Sequence, residues 1–336
     1  MGFMKAVQIS APGGNFELVQ RPIPEPGEDE VLIKVEACGV CHGDAIVKEG
    51  HFPGIQYPRI PGHEVIGTID KAGTRVKNWQ PGQRVGVGWH GGHCFTCGAC
   101  RGGDFGGCEQ SLITGISTDG GYAEYMVARA EALVAIPDEL SPVEGAPLLC
   151  AGRTTFGALK SCIAKGGDLV AIHGLGGLGH LAVQYAAKLG FKTVALSRGK
   201  AKEALAYQLG VHIYIDAGAV DAAQELRKLG GAKVILSTAP DSKAISGLIS
   251  GLARHGQLIF VSAPAEPIPV SPLGLLRNGL SLTGFSSGNI EEAIRFSVVT
   301  KALPVVDVFP LEQAAEAYQK MITAKVHFRS VLKMGN

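Results

Sequence analysis

From residue 169 onward the chain alternates short apolar stretches with longer amphipathic ones, and glycines punctuate the change of texture. Leu169 to His173, Thr193 to Leu196, Val211 to Ile215, Val234 to Ser237 and Gln257 to Ser262 are short, apolar and rich in β-branched residues. Between them, Gly179 to Leu189, Lys200 to Leu209, Val220 to Leu229 and Ser242 to Ala253 carry apolar residues at helical spacing. The first three of these stop at Gly190, Gly210 and Gly230, where a left-handed cap costs least. Repeated strand–helix units of this size predict a parallel sheet with helices on both faces.

The first 150 residues have a different texture. Val31 to Ala37, Val65 to Ile69, Arg84 to Val87 and Tyr122 to Val127 predict strands separated by glycine and proline. Pro22, Pro24 and Pro26 mark an extended connector. The last stretch predicts helices over Ile290 to Thr300 and Leu311 to Ala324 and a strand over Phe328 to Leu332, without the parallel-sheet rhythm. A chain of 336 residues is long for one compact unit. The expected division is 1–150, carrying a cysteine-bearing lobe over 90–110, then 151–287, then a segment 288–336 that returns to the first unit. The expected class is α/β.

Gly174-Leu175-Gly176-Gly177-Leu178-Gly179 follows the first of those strands and opens a helix. In that context a G-x-G-x-x-G run is a dinucleotide fingerprint. Gly174 permits the turn, Gly176 and Gly177 admit a pyrophosphate close to the backbone, and Gly179 lets the helix pack on the strand. With Leu178, they place helix N–H groups toward the phosphates. The end of the next strand reads the ribose. It carries Ser197 and Arg198, followed by Lys200 and Lys202, with no acid before Glu203. A basic strand end suits the extra phosphate of NADP(H) better than the free hydroxyl of NAD(H).

Six of eight cysteines fall at metal-ligand spacings. Cys94, Cys97, Cys100 and Cys108 form a C-x2-C-x2-C-x7-C run in a glycine-dense loop that has little core of its own. Four thiolates close a structural zinc site and would supply the folding energy of such a loop. His90 and His93 beside it read as ordinary loop histidines. Cys41 and Cys150, with His63 between them in sequence, offer the two-thiolate, one-imidazole set that leaves a fourth position open, as in a catalytic site. Asp44 and Glu64 adjoin these candidates and are placed to orient them.

Net charge is +1 and charged residues are 18%, which gives no electrostatic case for nucleic acid or an anionic membrane. No apolar run reaches spanning length, and the first ten residues lack a basic segment followed by an apolar core. Free thiols at metal spacing fit a reducing compartment, so the expectation is a cytoplasmic protein.

Taken together, Gly39 to Asp44, Gly62-His63-Glu64, the four-cysteine lobe, Cys150-Ala151-Gly152 and Gly174 to Gly179 resemble the zinc-dependent alcohol dehydrogenases of the medium-chain dehydrogenase/reductase family. Gly88-Trp89-His90 and Ser197-Arg198 look closest to its cinnamyl-alcohol-dehydrogenase-like branch. The resemblance covers essentially the whole chain. It implies a GroES-like β-barrel catalytic domain, interrupted by a Rossmann domain and completed by the C-terminus. It makes Cys41, His63 and Cys150 ligands of a catalytic zinc, with Glu64 behind the metal and Asp44 accepting from the His63 ring. It turns His42 and Arg329 toward the cofactor pyrophosphate, and makes Cys94, Cys97, Cys100 and Cys108 ligands of a second, structural zinc. The implied reaction is hydride transfer between NADP(H) or NAD(H) and an alcohol or its matching aldehyde or ketone. A homodimer or homotetramer is implied by analogy.

One departure stands out. The family usually has Ser or Thr two residues after the first cysteine ligand, and many members have a relay histidine five after it. Here these positions are Gly43 and Ile46. Proton exchange through water in the space beside Gly43 is one expectation, and His51 as a substitute is another. A third is that the enzyme reduces a C=N or activated C=C bond, where no such relay is needed. A non-catalytic nucleotide-binding protein with only structural zinc is the reading from a different class. Phe52, Trp89, Phe95 and Phe285 are candidate pocket residues, and Arg153, just after Cys150, is expected to pair with either an acid or a cofactor phosphate.

Overall fold

The computed structural model describes residues 2–286 and 288–335. The chain divides into two compact units, Met1–Cys150 with Ile290–Val298 and Leu303–Asn336, and Ala151–Asn289 with Val299–Ala302.

The spine of the first unit is the strand Glu30–Val40. Nearly all its side chains are buried, because it is paired on both edges. The seven-stranded sheet runs in space Val306–Pro310, Arg329–Lys333, Glu30–Val40, Val65–Ala72, Arg84–Val87, Leu133–Ala135, with Tyr125–Arg129 also paired to the spine. All pairings are antiparallel except that of Val306–Pro310 with Arg329–Lys333. Val31, Ile33, Val35, Val65, Ile69 and Tyr122 fill the core beneath it. Phe3–Ile9 and Phe16–Pro22 form a separate antiparallel pair.

Register brings the chemistry of this unit together. Cys38 pairs with Val65, and Ser330 pairs with Val40. Cys41 therefore leaves the end of the spine where His63 and Glu64 enter its antiparallel neighbour, and Arg329 starts the strand on the other side. The Gly39 N–H donates to the Glu64 carbonyl at 2.9 Å and locks that junction.

The second unit holds six parallel strands in the spatial order Ile213–Asp216, Lys192–Ser197, Leu169–His173, Ala232–Ser237, Leu252–Phe260, Ser281–Gly284. In chain order that is 3-2-1-4-5-6, the doubly wound dinucleotide-binding topology. The expected α/β class with a β-rich first domain and a parallel-sheet second domain is what the chain adopts. Val194, Leu196, Ile235, Leu226, Ile245 and Leu258 form its core.

Several boundaries differ from the sequence expectation. The helix expected over Ser242 to Ala253 ends at Leu248, passes through a 3-10 turn Ile249–Gly251, and gives way to a strand at Leu252. That strand carries a register shift opposite Ala232 and Val234, and His255 adopts φ 57°. An apolar run of this length fits either period, so the switch was hidden. The helix expected from Lys200 begins at Glu203, and the one expected from Val220 begins at Ala222, capped by the Asp221 side chain. The strand Phe3–Ile9 and the helices Asp44–Glu49, Ala151–Lys160 and Pro272–Asn278 add to the expected elements.

Candidate active site

Cys41, His63, Glu64 and Cys150 each bring one donor atom within 4.8 Å of the others. The Cys41 and Cys150 sulfurs are 3.9 Å apart. The edge of a tetrahedron with metal–sulfur bonds of about 2.3 Å is about 3.8 Å, and a disulfide is about 2 Å. His63 Nε2 is buried with no hydrogen-bond partner. An orphaned imidazole nitrogen beside two thiols is costly in a protein interior and is what a soft metal ion satisfies.

The other ring nitrogen is fixed. His63 Nδ1 lies 3.1 Å from Asp44 Oδ1. A carboxylate only accepts, so Nδ1 carries a proton, and Nε2 is the nitrogen left to face a metal. Asp44 Oδ2 accepts in turn from the Cys41 N–H and from the Tyr122 hydroxyl, both at 2.9 Å. Glu64 is fully buried and receives both contacts of the Arg329 guanidinium on its two oxygens. Burial pushes the Glu64 carboxyl up to about 8 against the opposing pull of Arg329. Hydrogen bonding with Cys150, then the nearby His63 ring, holds the Cys41 thiol well below its ordinary value despite burial. Cys150 is pushed well up by its bond to Cys41 and by burial. A pair so split has one sulfur already disposed to be a thiolate ligand.

The space expected beside Gly43 is tightly bounded. A Cβ there would lie 2.7 Å from His63 Cε1 and 2.9 Å from Trp89 Cζ3. Trp89 meets the His63 ring edge-on, with centroids 4.9 Å apart at 86°. Trp89 and Ile46 pack with Ile55, Tyr57 and Ile113 around buried Ile9, Val47 and Ile116. Imidazole and aromatic atoms thus narrow the space in which the expected water exchange would run. Gly43→Ala is accordingly expected to displace the His63 ring, because overpacking is not relieved by a flexible neighbour. The expected result is at least a tenfold (order-of-magnitude) fall in turnover, with metal lost from this cluster. Unchanged turnover with full metal content would show that the contact is soft.

His51 is exposed, its N–H donating to the Ile46 carbonyl at 2.9 Å, and the donor cluster does not include its ring. His42 is exposed beside Cys41. Phe95 stands with the cysteine lobe, its ring tilted against His93 and edge-on to Phe105. Phe52 is on the surface, and Phe285 packs on Gly157 in the second unit. Arg153 Nε donates to the Gly288 carbonyl at 2.9 Å. Tyr122 is the site residue that sequence reasoning missed. In sequence it marks only the start of an expected strand, since nothing local distinguishes a tyrosine whose hydroxyl meets a residue 78 positions away.

In the lobe, Cys94, Cys97, Cys100 and Cys108 also gather their sulfurs within 4.8 Å. Cys94 and Cys100 are 4.0 Å apart, and Cys94 and Cys108 are 3.6 Å apart. Backbone N–H groups of Cys97, Cys94 and Gln110 point at Cys94 Sγ and Cys108 Sγ over 3.3–3.4 Å. The Thr96 hydroxyl, followed by the backbone N–H groups of Cys97 and Thr96, lowers Cys94 to about 6. N–H donors aimed at sulfur stabilise thiolates, which fits a metal and not four neutral thiols.

In the second unit, a Cβ at Gly179 would fall 1.9 Å from the Gly174 carbonyl oxygen, so helix and loop touch there. A Cβ at Gly176 would meet nothing within 4 Å, leaving the loop open on that side. Gly177 and Leu178 lead into the helix Gly179–Lys188. Lys202 Nζ donates to the Leu175 carbonyl at 2.8 Å, so this lysine braces the glycine loop. Arg198, Asp241, Lys243 and Glu266 line a cavity of about 730 Å³. Ser197 pairs with Asp216, an acid that the sequence reading did not place at this strand end. Asp216 Oδ1 accepts the N–H groups of Gly199 and Gly218, at 2.7 and 2.9 Å, which holds the carboxyl below its usual range.

These features define a two-unit dehydrogenase with a metal cluster in one unit and a dinucleotide loop in the other. The family model of the alcohol dehydrogenase GroES-like domain matches residues 27–138, and that of zinc-binding dehydrogenases matches 177–301. The alcohol dehydrogenase notN of an Aspergillus species is 44% identical over 316 residues, 93% of each chain. An alcohol dehydrogenase of Geobacillus stearothermophilus is 39% identical, covering 98% of this chain and 100% of its own. Among solved structures, CAD from Helicobacter pylori complexed with NADP(H) aligns with TM-score 0.86 and 27% identity over 98% of each chain. The chain belongs to the zinc-type alcohol dehydrogenases of the medium-chain dehydrogenase/reductase family. It is an oxidoreductase that interconverts alcohols and carbonyl compounds with zinc and a nicotinamide cofactor; the C=N or C=C reductase and non-catalytic readings are not favoured. No helix among the described residues is long and apolar enough to cross a membrane.

Proposed function

We propose that the reaction runs at Cys41, His63 and Cys150, that the chain carries two zinc ions, and that it prefers NADP(H). The observation that carries the first part is His63 Nε2, buried without a partner beside two sulfurs while Asp44 holds the opposite nitrogen. Zinc bound there supplies a Lewis acid for the substrate oxygen, and the cofactor exchanges the hydride. Cys41, His63 and Cys150 are the proposed ligands. Asp44 keeps the proton on His63 Nδ1, and Glu64 adds a buried carboxyl behind the cluster. Cys94, Cys97, Cys100 and Cys108 hold the second, structural ion. A panel of primary and secondary alcohols and their carbonyls, run in both directions with each cofactor, tests the reading. Turnover that survives complete removal of metal would sink it.

Gly174, Gly176, Gly177, Leu178 and Gly179 are proposed to receive the pyrophosphate. His42, exposed beside Cys41, and Arg329 are the proposed phosphate partners in the first unit. Arg329 shares its NH2 with Glu64, while its Nε is a buried donor with no partner. The preference for NADP(H) rests on Arg198 and Lys243 lining one cavity, with Ser197 beside it on the strand and Asp216 engaged by the turn. The NADP(H)-bound relative named above points the same way. Charge-assisted contacts are worth about 1.5–3 kcal/mol. Arg198→Ala is therefore expected to raise KM for NADP+ roughly ten- to a hundredfold and leave that for NAD+ nearly unchanged. An equal change with both cofactors would refute the assignment.

A dimer or tetramer is proposed on family analogy. In support, Ser281–Gly284 is the last strand of its sheet, and Leu273 and Leu276 on the preceding helix are exposed. No disulfide joins any of the eight cysteines, which supports a reducing compartment and is the basis for proposing the cytoplasm.

A further inference from the structure

We propose that Tyr122 is a positioning residue for the metal cluster, its buried hydroxyl fixing the Asp44 carboxylate that aims the His63 ring. The inference rests on the assignment of Cys41, His63 and Cys150 as metal ligands.

Tyr122 has 0% of its surface exposed, Asp44 1% and His63 2%, so this chain of hydrogen bonds is closed to solvent. A phenol in that setting must find an acceptor, and it finds Asp44 Oδ2 at 2.9 Å. The same oxygen accepts from the Cys41 N–H at 2.9 Å, and Oδ1 faces His63 Nδ1 at 3.1 Å. With one oxygen held from two directions, the carboxylate plane is set, and with it the imidazole that Oδ1 orients. Without the hydroxyl, the carboxylate can rotate about its own bond.

The backbone around Tyr122 is built to hold the ring there. Its N–H donates to the Pro61 carbonyl at 3.0 Å, and its carbonyl accepts from Val7 at 2.8 Å. Gly62, next to His63, has φ +103°, and a Cβ on it would lie 2.5 Å from Tyr122 Cδ1. The tyrosine ring and the histidine segment are thus packed backbone against ring, with no side chain between them. Trp89 bounds the other side of His63. The ring is held by Tyr122 through Asp44 at one nitrogen and by Trp89 at its edge, leaving Nε2 free toward the cysteines.

The test compares the whole protein with Tyr122→Phe, Asp44→Asn and the double variant. Each is loaded with cobalt, and the visible spectrum and the loss of metal to a chelator are followed. Tyr122→Phe keeps the ring, so the core beneath the sheet stays filled, and thermal unfolding and lobe metal content report that it does. The expected result is metal loss from the cluster about ten- to a hundredfold faster, with an altered cobalt spectrum. The double variant should lose metal no faster than Asp44→Asn alone, since the hydroxyl acts only through that carboxylate. A Tyr122→Phe protein with the wild-type spectrum and metal-loss rate would overturn the proposal while leaving the ligand assignment standing. Additive effects in the double variant would also overturn it, by giving Tyr122 a route that bypasses Asp44. A wild-type chain that takes up metal only in the cysteine lobe would instead overturn the ligand assignment, and this proposal with it.

Discussion

His63→Ala is expected to reduce kcat/KM for alcohol oxidation by about a thousandfold or more, measured with a saturating cofactor. The substitution removes the imidazole donor of the cluster and leaves Asp44 buried without the ring it faces. Charge that would build on the substrate oxygen as the alcohol loses its proton would then no longer be opposed. Such stabilisation is worth several kcal/mol, and each ~1.4 kcal/mol is a factor of ten in rate. The dinucleotide loop lies in the other unit, so NADPH fluorescence should report nearly unchanged cofactor affinity. If the variant kept more than a tenth of wild-type activity with that affinity intact, His63 would not be part of the reacting centre.

Cys100→Ser is expected to act on stability and leave the chemistry largely alone. Cys100 is buried, and the lobe it helps close runs from Cys94 to Cys108 with exposed Phe95 and Phe105 on its surface. Its regular structure is two short turns, Gly98–Arg101 and Phe105–Gly107. A cross-link closing a loop of about 15 residues is worth about 3 kcal/mol. For a unit of this size that is a fall of roughly 6–12 °C in the unfolding midpoint. Metal content should drop by one ion per chain, while kcat measured well below the transition stays within about threefold (an order-of-magnitude bound) of wild type. A midpoint unmoved by the loss of that ion would mean the lobe is held by other contacts.

The parallel-sheet unit was readable because its strands are short, apolar and glycine-bounded, and because Gly174 to Gly179 sits at a strand–helix junction. The lobe was readable because its four ligands are close in sequence. Cys41, His63 and Cys150 were reached through family resemblance, since their convergence depends on the Cys38–Val65 and Ser330–Val40 register, which no local pattern states. The same limit hid the contact of Tyr122 with Asp44, 78 residues away, and the place of Asp216 beside Ser197. It also hid the contact at Gly43: a glycine in sequence signals freedom, whereas here it marks a place where two rings approach the backbone. Arg329 was assigned to a phosphate from the resemblance, and its ion pair with buried Glu64 became visible only in the fold.

The most direct test of the account is the zinc content of three proteins, measured per chain by elemental analysis beside their alcohol-dependent NADP+ reduction. The wild type should hold two zinc ions, Cys41→Ser one, and Cys100→Ser one, with activity lost in Cys41→Ser and kept in Cys100→Ser. One zinc in the wild type that persists in an active Cys41→Ser protein would contradict it.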